Sequence, residues 1–223
     1  MSSSILPTYN RAPLAFDKGQ GSWLFTKDGD RYLDMGAGIA VNALGHSNPE
    51  LVEALTFQAS KLWHVSNLYE IPEQRRLADL LVEASFADNV FFTNSGTESC
   101  ELAIKMVRKY WYEKGKENKV EIITFEGSFH GRSSAGIAAA GGEKLTKGFG
   151  PMLPGFVQLP WYNHDAIEAT INEDTAAILI EPIQGEGGIR CLPDECLRSL
   201  RILCDQHDLS LIHISEPTRL RHI

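Results

Sequence analysis

From about residue 89 onward, short apolar runs alternate with stretches of helical period. Asn89–Thr93, Val120–Phe125 and Ala176–Ile180 each read as strands, with apolar residues on consecutive positions. A strand buried on one face alternates, whereas a strand covered on both faces is apolar throughout. The intervening helices are amphipathic. Thr97–Glu113 puts Ala103, Ile104, Val107, Tyr110 and Trp111 on one face, and Asp194–His207 does the same with Leu197, Leu200 and Leu203. This pattern predicts an α/β fold with a mostly parallel sheet covered by helices on both faces.

The first part of the chain differs. Ser22–Thr26 alternates like a strand, Lys27-Asp28-Gly29-Asp30 supplies an Asp-Gly turn, and Arg31–Asp34 returns as a hairpin partner. A helix starts at Asn48-Pro49-Glu50, with a capping Asn, a proline at the first helical position and an acid at the positive end of the dipole. Its apolar stripe is Leu51, Leu55, Ala59 and Leu62. A second helix begins near Pro72, with Leu77, Leu80, Leu81 and Ala84 on one face. Three segments are expected: 1–47 with the hairpin, 48–209 as a partial large α/β domain, and 210–223 as a non-native tail. Residues 207–212 begin like a core strand, but Pro217 halts it, and the sequence beyond reads as a translated vector or adapter scar, or else as a natural polar tail.

Charge and composition exclude several classes. Lys plus Arg number 21 and Asp plus Glu number 29, a formal charge of −8. An acidic chain makes a poor nucleic-acid sleeve or polybasic membrane binder. No apolar run approaches the ~20 residues of a membrane span. Met1–Pro7 lacks the basic and apolar regions of a signal peptide, so a cytoplasmic protein is expected. The four cysteines form no C-x-x-C pair, and the seven histidines form no H-E-x-x-H, so no metal is expected. His46, His64 and His130 read as hydrogen-bonded structural groups.

Three segments at strand ends carry chemistry. In Phe91-Phe92-Thr93-Asn94-Ser95-Gly96-Thr97-Glu98 a strand leads through small residues into a helix. Free N–H groups and the dipole at a helix start attract an anion such as a phosphate, with hydroxyls from Ser95 and Thr97 and close backbone approach at Gly96. The same residues also suit a plain N-cap with a Glu behind it. Neither a Walker loop nor G-x-G-x-x-G is present. Phe125–Arg132 offers Phe129 for stacking on a planar ring and Arg132 for forking onto a carboxylate, or else core packing and a surface ion pair. Ile180–Gly188 brings Glu181, Gln184 and Glu186 to the end of the next strand, where the two carboxylates read as acid–base groups or the whole as a solvated turn.

These three segments, in this order, resemble the class III aminotransferases that use pyridoxal 5'-phosphate. Tyr9-Asn10-Arg11, Gly21-Ser22-Trp23-Leu24, the stretch from Ala37 to His46, and Ser66-Asn67-Leu68-Tyr69 extend the likeness over roughly Pro7 to Leu209. The likeness leans to the acetylornithine branch. It implies a partial pyridoxal-phosphate type I (aspartate aminotransferase-like) fold. It also implies a parent in arginine biosynthesis that passes an amino group from a small-molecule donor to a 2-oxo acid, as a homodimer. By the same resemblance Gly96 and Thr97 hold the cofactor phosphate with Ser95 beside them, and Phe129 stacks on the ring. Glu181 lies near that ring, Arg132 binds the substrate carboxylate, Glu186 is the gating glutamate, and Tyr9 approaches the substrate.

The likeness also implies what is missing. The family's Asp that pairs with the pyridine nitrogen falls at Ile214, in Ile214-Ser215-Glu216-Pro217. No lysine matches the family's Schiff-base lysine, Lys105 included, so no catalytic residue is assigned. An N-terminal portion of an aminotransferase, inactive by itself, is therefore expected. The alternatives are a parent acting on ornithine, 4-aminobutyrate or another ω-amine, or a non-catalytic phosphate-binding fragment.

Overall fold

The computed structural model describes residues 4–161 and 163–213. The chain forms two compact units, Met1–Val90 and Phe91–Ile223. The helices that begin at Pro49 and Pro72 belong to the first unit.

In the first unit, β1 (Phe16–Gln20), β2 (Trp23–Thr26) and β3 (Arg31–Leu33) form an antiparallel sheet in that order. The Asp28-Gly29 turn joins β2 to β3, with Gly29 at φ +90°, a conformation that favours glycine. Strand β1 has no apolar alternation to announce it, and its pairing to β2 alone defines it. A single turn, α1 (Ala37–Ala40), carries left-handed φ at all four residues. His46 steadies this region: its Nε2 meets Asp34 Oδ2 at 2.7 Å and its Nδ1 meets Asn42 Nδ2 at 2.9 Å. It is the structural histidine the sequence suggests. Next come α2 (Pro49–Ala59), capped by the Asn48 side chain as expected, and α3 (Pro72–Glu83). Neither helix buries a residue, and Leu55 is 71% exposed.

The second unit contains α4 (Gly96–Glu113), β4 (Glu121–Phe125), α5 (Ser134–Ala140), α6 (Glu143–Thr146) and β5 (Phe156–Leu159). It continues with α7 (His164–Thr170), β6 (Thr175–Ile180), β7 (Ile183–Gln184), β8 (Arg190–Cys191), α8 (Asp194–Gln206) and β9 (Ser210–His213). The main sheet runs β5-β4-β6-β9, every pair parallel. Ser210–His213, expected as the start of a foreign tail, pair along β6 from Ala177 to Ile180. Ile214, the position read for the missing Asp, lies outside the described residues.

Both faces of the sheet are covered, as the apolar runs require. Ile122, Ala177 and Leu179 pack with Ile104, Val107 and Trp111 of α4 and Ala135 and Ala139 of α5. Ile123, Phe125, Ile178 and Ile180 pack with Ile167 of α7 and Leu200, Leu203 and Cys204 of α8. Each fully buried aliphatic side chain contributes roughly 1.5–3 kcal/mol, so β4 and β6 anchor this unit. Asn89–Thr93, expected as a strand, has no strand partner among the described residues, and Phe91 is 71% exposed. An apolar run becomes a strand only where a neighbour satisfies its backbone.

The connectivity fixes where a ligand can sit. After β4 the chain enters α5 on one face; after β6 it passes through β7 and β8 into α8 on the other. Adjacent parallel strands whose connections diverge open a crevice at their carboxyl ends, the usual ligand position in such sheets.

Candidate active site

The start of α4 is built by its own side chains. Ser95 caps the helix, its Oγ accepting the Glu98 N–H at 3.2 Å. Glu98 reaches back and its Oε2 accepts the Asn94 N–H at 2.6 Å. The plain N-cap and the anion site thus coexist: Ser95 and Glu98 hold the turn, while Gly96 and Thr97 open the helix with N–H groups that have no helical carbonyl to bond. Such N–H groups, aligned with the dipole, suit a phosphate.

The loop after β4 leans on that helix start. Gly131 has φ +91°, and a Cβ built there would lie 2.5 Å from Thr97 Oγ1. Behind it, a Cβ on Gly136 would lie 2.4 Å from the His130 carbonyl oxygen, so small residues let α5 close on the loop. The Phe129 N–H donates to Glu181 Oε2 at 3.1 Å, tying the ends of β4 and β6 together. Arg132 is exposed, with its guanidinium carbon 5.9 Å from the centre of the Phe129 ring.

His130 corrects the sequence reading. It is 0% exposed, yet neither ring nitrogen has a hydrogen-bond partner among the described residues. Burial pushes its pKa down to about 4, so the ring is neutral at pH 7. Thr124 Oγ1 and Ser128 Oγ, nearby in the same segment, are likewise buried without a partner among the described residues. No signal in the sequence separates such a histidine from an ordinary structural one.

The loop after β6 is stapled to the same place. Gln184, fully buried, donates from Nε2 to the Glu126 carbonyl at 3.1 Å and accepts from Arg190. Arg190 also donates to the Glu126 carbonyl at 3.3 Å. β7 and β8 pair as a short hairpin whose connecting loop presents Glu186 to solvent. Gly96, Thr97, Phe129 and Glu181 are therefore linked at one edge of the sheet, with Arg132 beside Phe129 and Glu186 on the adjoining hairpin. Tyr9 belongs to the first unit, where it is 58% exposed and faces the Arg11 guanidinium. Gly131 was not singled out from sequence, although its loop was, and Gln184 was named from sequence without its role as a staple. A surface cleft lined by Lys116, Lys119, Asp174 and His207 lies at the amino ends of the strands and contains none of these motifs.

A family model described as aminotransferase class-III matches residues 6–214. The chain belongs to the class-III aminotransferases. It is 68% identical over 212 residues to an acetylornithine aminotransferase of Rhodobacter capsulatus, covering 95% of this chain and 54% of that protein. It is 60% identical over 208 residues to the acetylornithine aminotransferase of Agrobacterium fabrum, covering 93% and 52%. The chain thus spans about half the length of the curated relatives it matches. The ornithine aminotransferase crystal structure from Toxoplasma gondii superposes with a TM-score of 0.89 at 27% identity, covering 94% of this chain and 50% of that one. The N-acetylornithine aminotransferase structure from Stenotrophomonas maltophilia gives 0.77 at 39% identity, covering 92% and 51%.

Members of this family are pyridoxal-phosphate enzymes, and the residues of this class-III chain fit that group. The lack of a side chain at Gly131 lets its backbone pack directly against Thr97, next to helix N–H groups able to take the phosphate. Phe129 stands on the same loop, where an aromatic can meet the ring.

Proposed function

We propose that this chain is the cofactor-holding N-terminal part of a transaminase whose whole form moves an amino group from acetylornithine to 2-oxoglutarate. The observation that carries the reading is the close approach of Gly131 to Thr97. It joins a phosphate-suited helix start to an aromatic-bearing loop at the crevice between β4 and β6. Identity of 68% to an acetylornithine aminotransferase supports the choice of amino donor.

The roles are those the family resemblance implies, and the chemistry of the residues agrees with them. The N–H groups of Gly96 and Thr97 hold the phosphate, with Ser95 setting the turn. The helix dipole adds about 0.3–1 kcal/mol for an anion there. Phe129 packs against the pyridine ring, which supplies an electron sink when the cofactor is bound. Glu181 lies near that ring. Arg132, exposed and beside Phe129, forks onto the substrate carboxylate. Glu186 pairs with an arginine of the C-terminal part, and Tyr9 approaches the substrate. The whole protein is a cytoplasmic homodimer.

For the 223-residue polypeptide by itself we propose no turnover. None of its lysines matches the family's cofactor-linking position, and no acid stands at 214 to hold the ring nitrogen. Positioned acid–base groups are worth roughly 10² to 10⁴ in rate, so Arg132 and Phe129 cannot replace them by orientation alone.

Two measurements test this. Pyridoxamine 5'-phosphate should bind the purified chain weakly and compete with inorganic phosphate; no binding at millimolar concentration defeats the cofactor reading. In a coupled assay with acetylornithine, 2-oxoglutarate and saturating pyridoxal phosphate, turnover should equal the protein-free blank. Turnover above the blank that disappears in Arg132→Ala defeats the inactivity reading.

A further inference from the structure

We propose that Glu181 is a positioning residue: its buried carboxylate holds the Phe129 backbone, and so sets the ring at a fixed place beside the phosphate cup. The inference rests on the cofactor reading above, and it concerns how the aromatic shelf is held.

Strand geometry aims the side chain. Successive residues of a strand point to opposite faces. Leu179 packs on the α4 and α5 side and Ile180 on the α7 and α8 side. Glu181, directly after β6, therefore returns to the side of α4 and α5. Pro182 follows, and a residue before proline is held extended, so the alternation persists through 181. On that side its carboxylate meets the Phe129 N–H, 52 residues earlier in the chain, at 3.1 Å.

Burial argues for a tie and against a solvated charge. Glu181 is 4% exposed, and a buried carboxylate is retained only with donors around it. A charge-assisted bond to a backbone N–H is among the stronger hydrogen bonds, and this one joins two strand ends whose chains depart to opposite faces. Two residues on, Gly131 rests against Thr97. The Phe129–Gly131 segment is thus fixed at one end to β6 and at the other to the helix start. The separation between the aromatic ring and the phosphate donors follows from those two attachments.

The test separates positioning from charge and from folding. Glu181→Gln keeps an acceptor, and Glu181→Leu removes it; Glu181→Ser, too short to reach, replaces the leucine variant if that does not fold. Two readouts are used on the purified chain: hydrogen exchange of the Phe129 amide without ligand, and affinities for pyridoxamine 5'-phosphate and for inorganic phosphate. In Glu181→Leu the Phe129 amide should exchange about tenfold faster or more, and pyridoxamine 5'-phosphate should bind about tenfold more weakly, with inorganic phosphate unchanged. Glu181→Gln should remain within about threefold of the unmodified chain in each. Unchanged Phe129 exchange in Glu181→Leu overturns the proposal. Equal loss of pyridoxamine 5'-phosphate in the Gln and Leu variants also overturns it, because charge near the ring would then be the cause. If the unmodified chain binds no pyridoxamine 5'-phosphate, the cofactor reading fails, and the exchange measurement still decides the tie.

Discussion

Gly131 and Thr97 stand so close that a Cβ on the glycine would meet Thr97 Oγ1 at 2.5 Å and Thr97 Cγ2 at 3.0 Å. The glycine is also at φ +91°, where an L side chain is strained whatever the space. Gly131→Ala should therefore lower stability by about 1–3 kcal/mol. Thr97→Ala in that background removes Oγ1 and Cγ2 and should restore part of the loss. Urea midpoints of the four chains in the double-mutant cycle measure the coupling. Additive effects would mean that backbone strain alone, and not the approach to Thr97, demands glycine.

The cap on α4 is a separate term. Ser95 Oγ accepts the Glu98 N–H. Ser95→Ala should lower stability by about 1 kcal/mol, while Ser95→Asp keeps an acceptor and should hold it. Denaturant midpoints of the two variants decide this, and equal losses would show that the side chain does not cap.

Much of this was legible in the sequence, for physical reasons. Asn48 before Pro49 states a helix start locally, and the Asn48 side chain does cap α2. The apolar runs at Glu121–Phe125 and Thr175–Ile180 can be satisfied only inside a covered sheet, which is where they lie. The misreadings share one cause, which is that the deciding partner is distant in sequence. Asn89–Thr93 has strand composition without a strand partner among the described residues. β1 has a partner without strand composition. For the site, the motifs marked the right loops. The tie from Glu181 to Phe129 and the contact of Gly131 with Thr97 span 52 and 34 residues, distances at which periodicity says nothing.

Gln184 holds the Glu186 hairpin to the loop after β4. Replacing it by leucine removes one of the two donors to the Glu126 carbonyl and the side-chain acceptor of Arg190, at part-buried positions, while the Arg190 bond to that carbonyl remains. The expected cost is about 1 kcal/mol. Loss of the staple should also speed proteolytic cutting between Gly185 and Ile189. Cutting at the unmodified rate, together with an unchanged urea midpoint, would mean that the β7–β8 pairing suffices.

His130 gives the chain a pH dependence of definite sign. Burial lowers its pKa from 6.5 to about 4 in the folded state. Between those values the unfolded chain binds a proton that the folded chain refuses, so stability rises with pH across the window. It is fully present above pH 6.5 and is lost progressively as the pH falls toward 4, by an amount on the order of 3 kcal/mol. His213 acts in the same direction, since partial desolvation lowers its pKa too, with Arg201 adding to the shift. Asp34 does not interfere, because the His46 hydrogen bond holds its carboxyl below the usual 3.8 and its loss comes at lower pH. His130→Gln cannot titrate, so the difference between the two chains isolates this ring from His213 and from the general acid response. Urea unfolding at pH 7.5, 6, 5 and 4.5 should show the unmodified chain losing stability faster than the variant below pH 6.5, with parallel behaviour above it. Parallel curves through the whole range would mean that the imidazole finds a proton acceptor in the folded chain, and that its burial is incomplete.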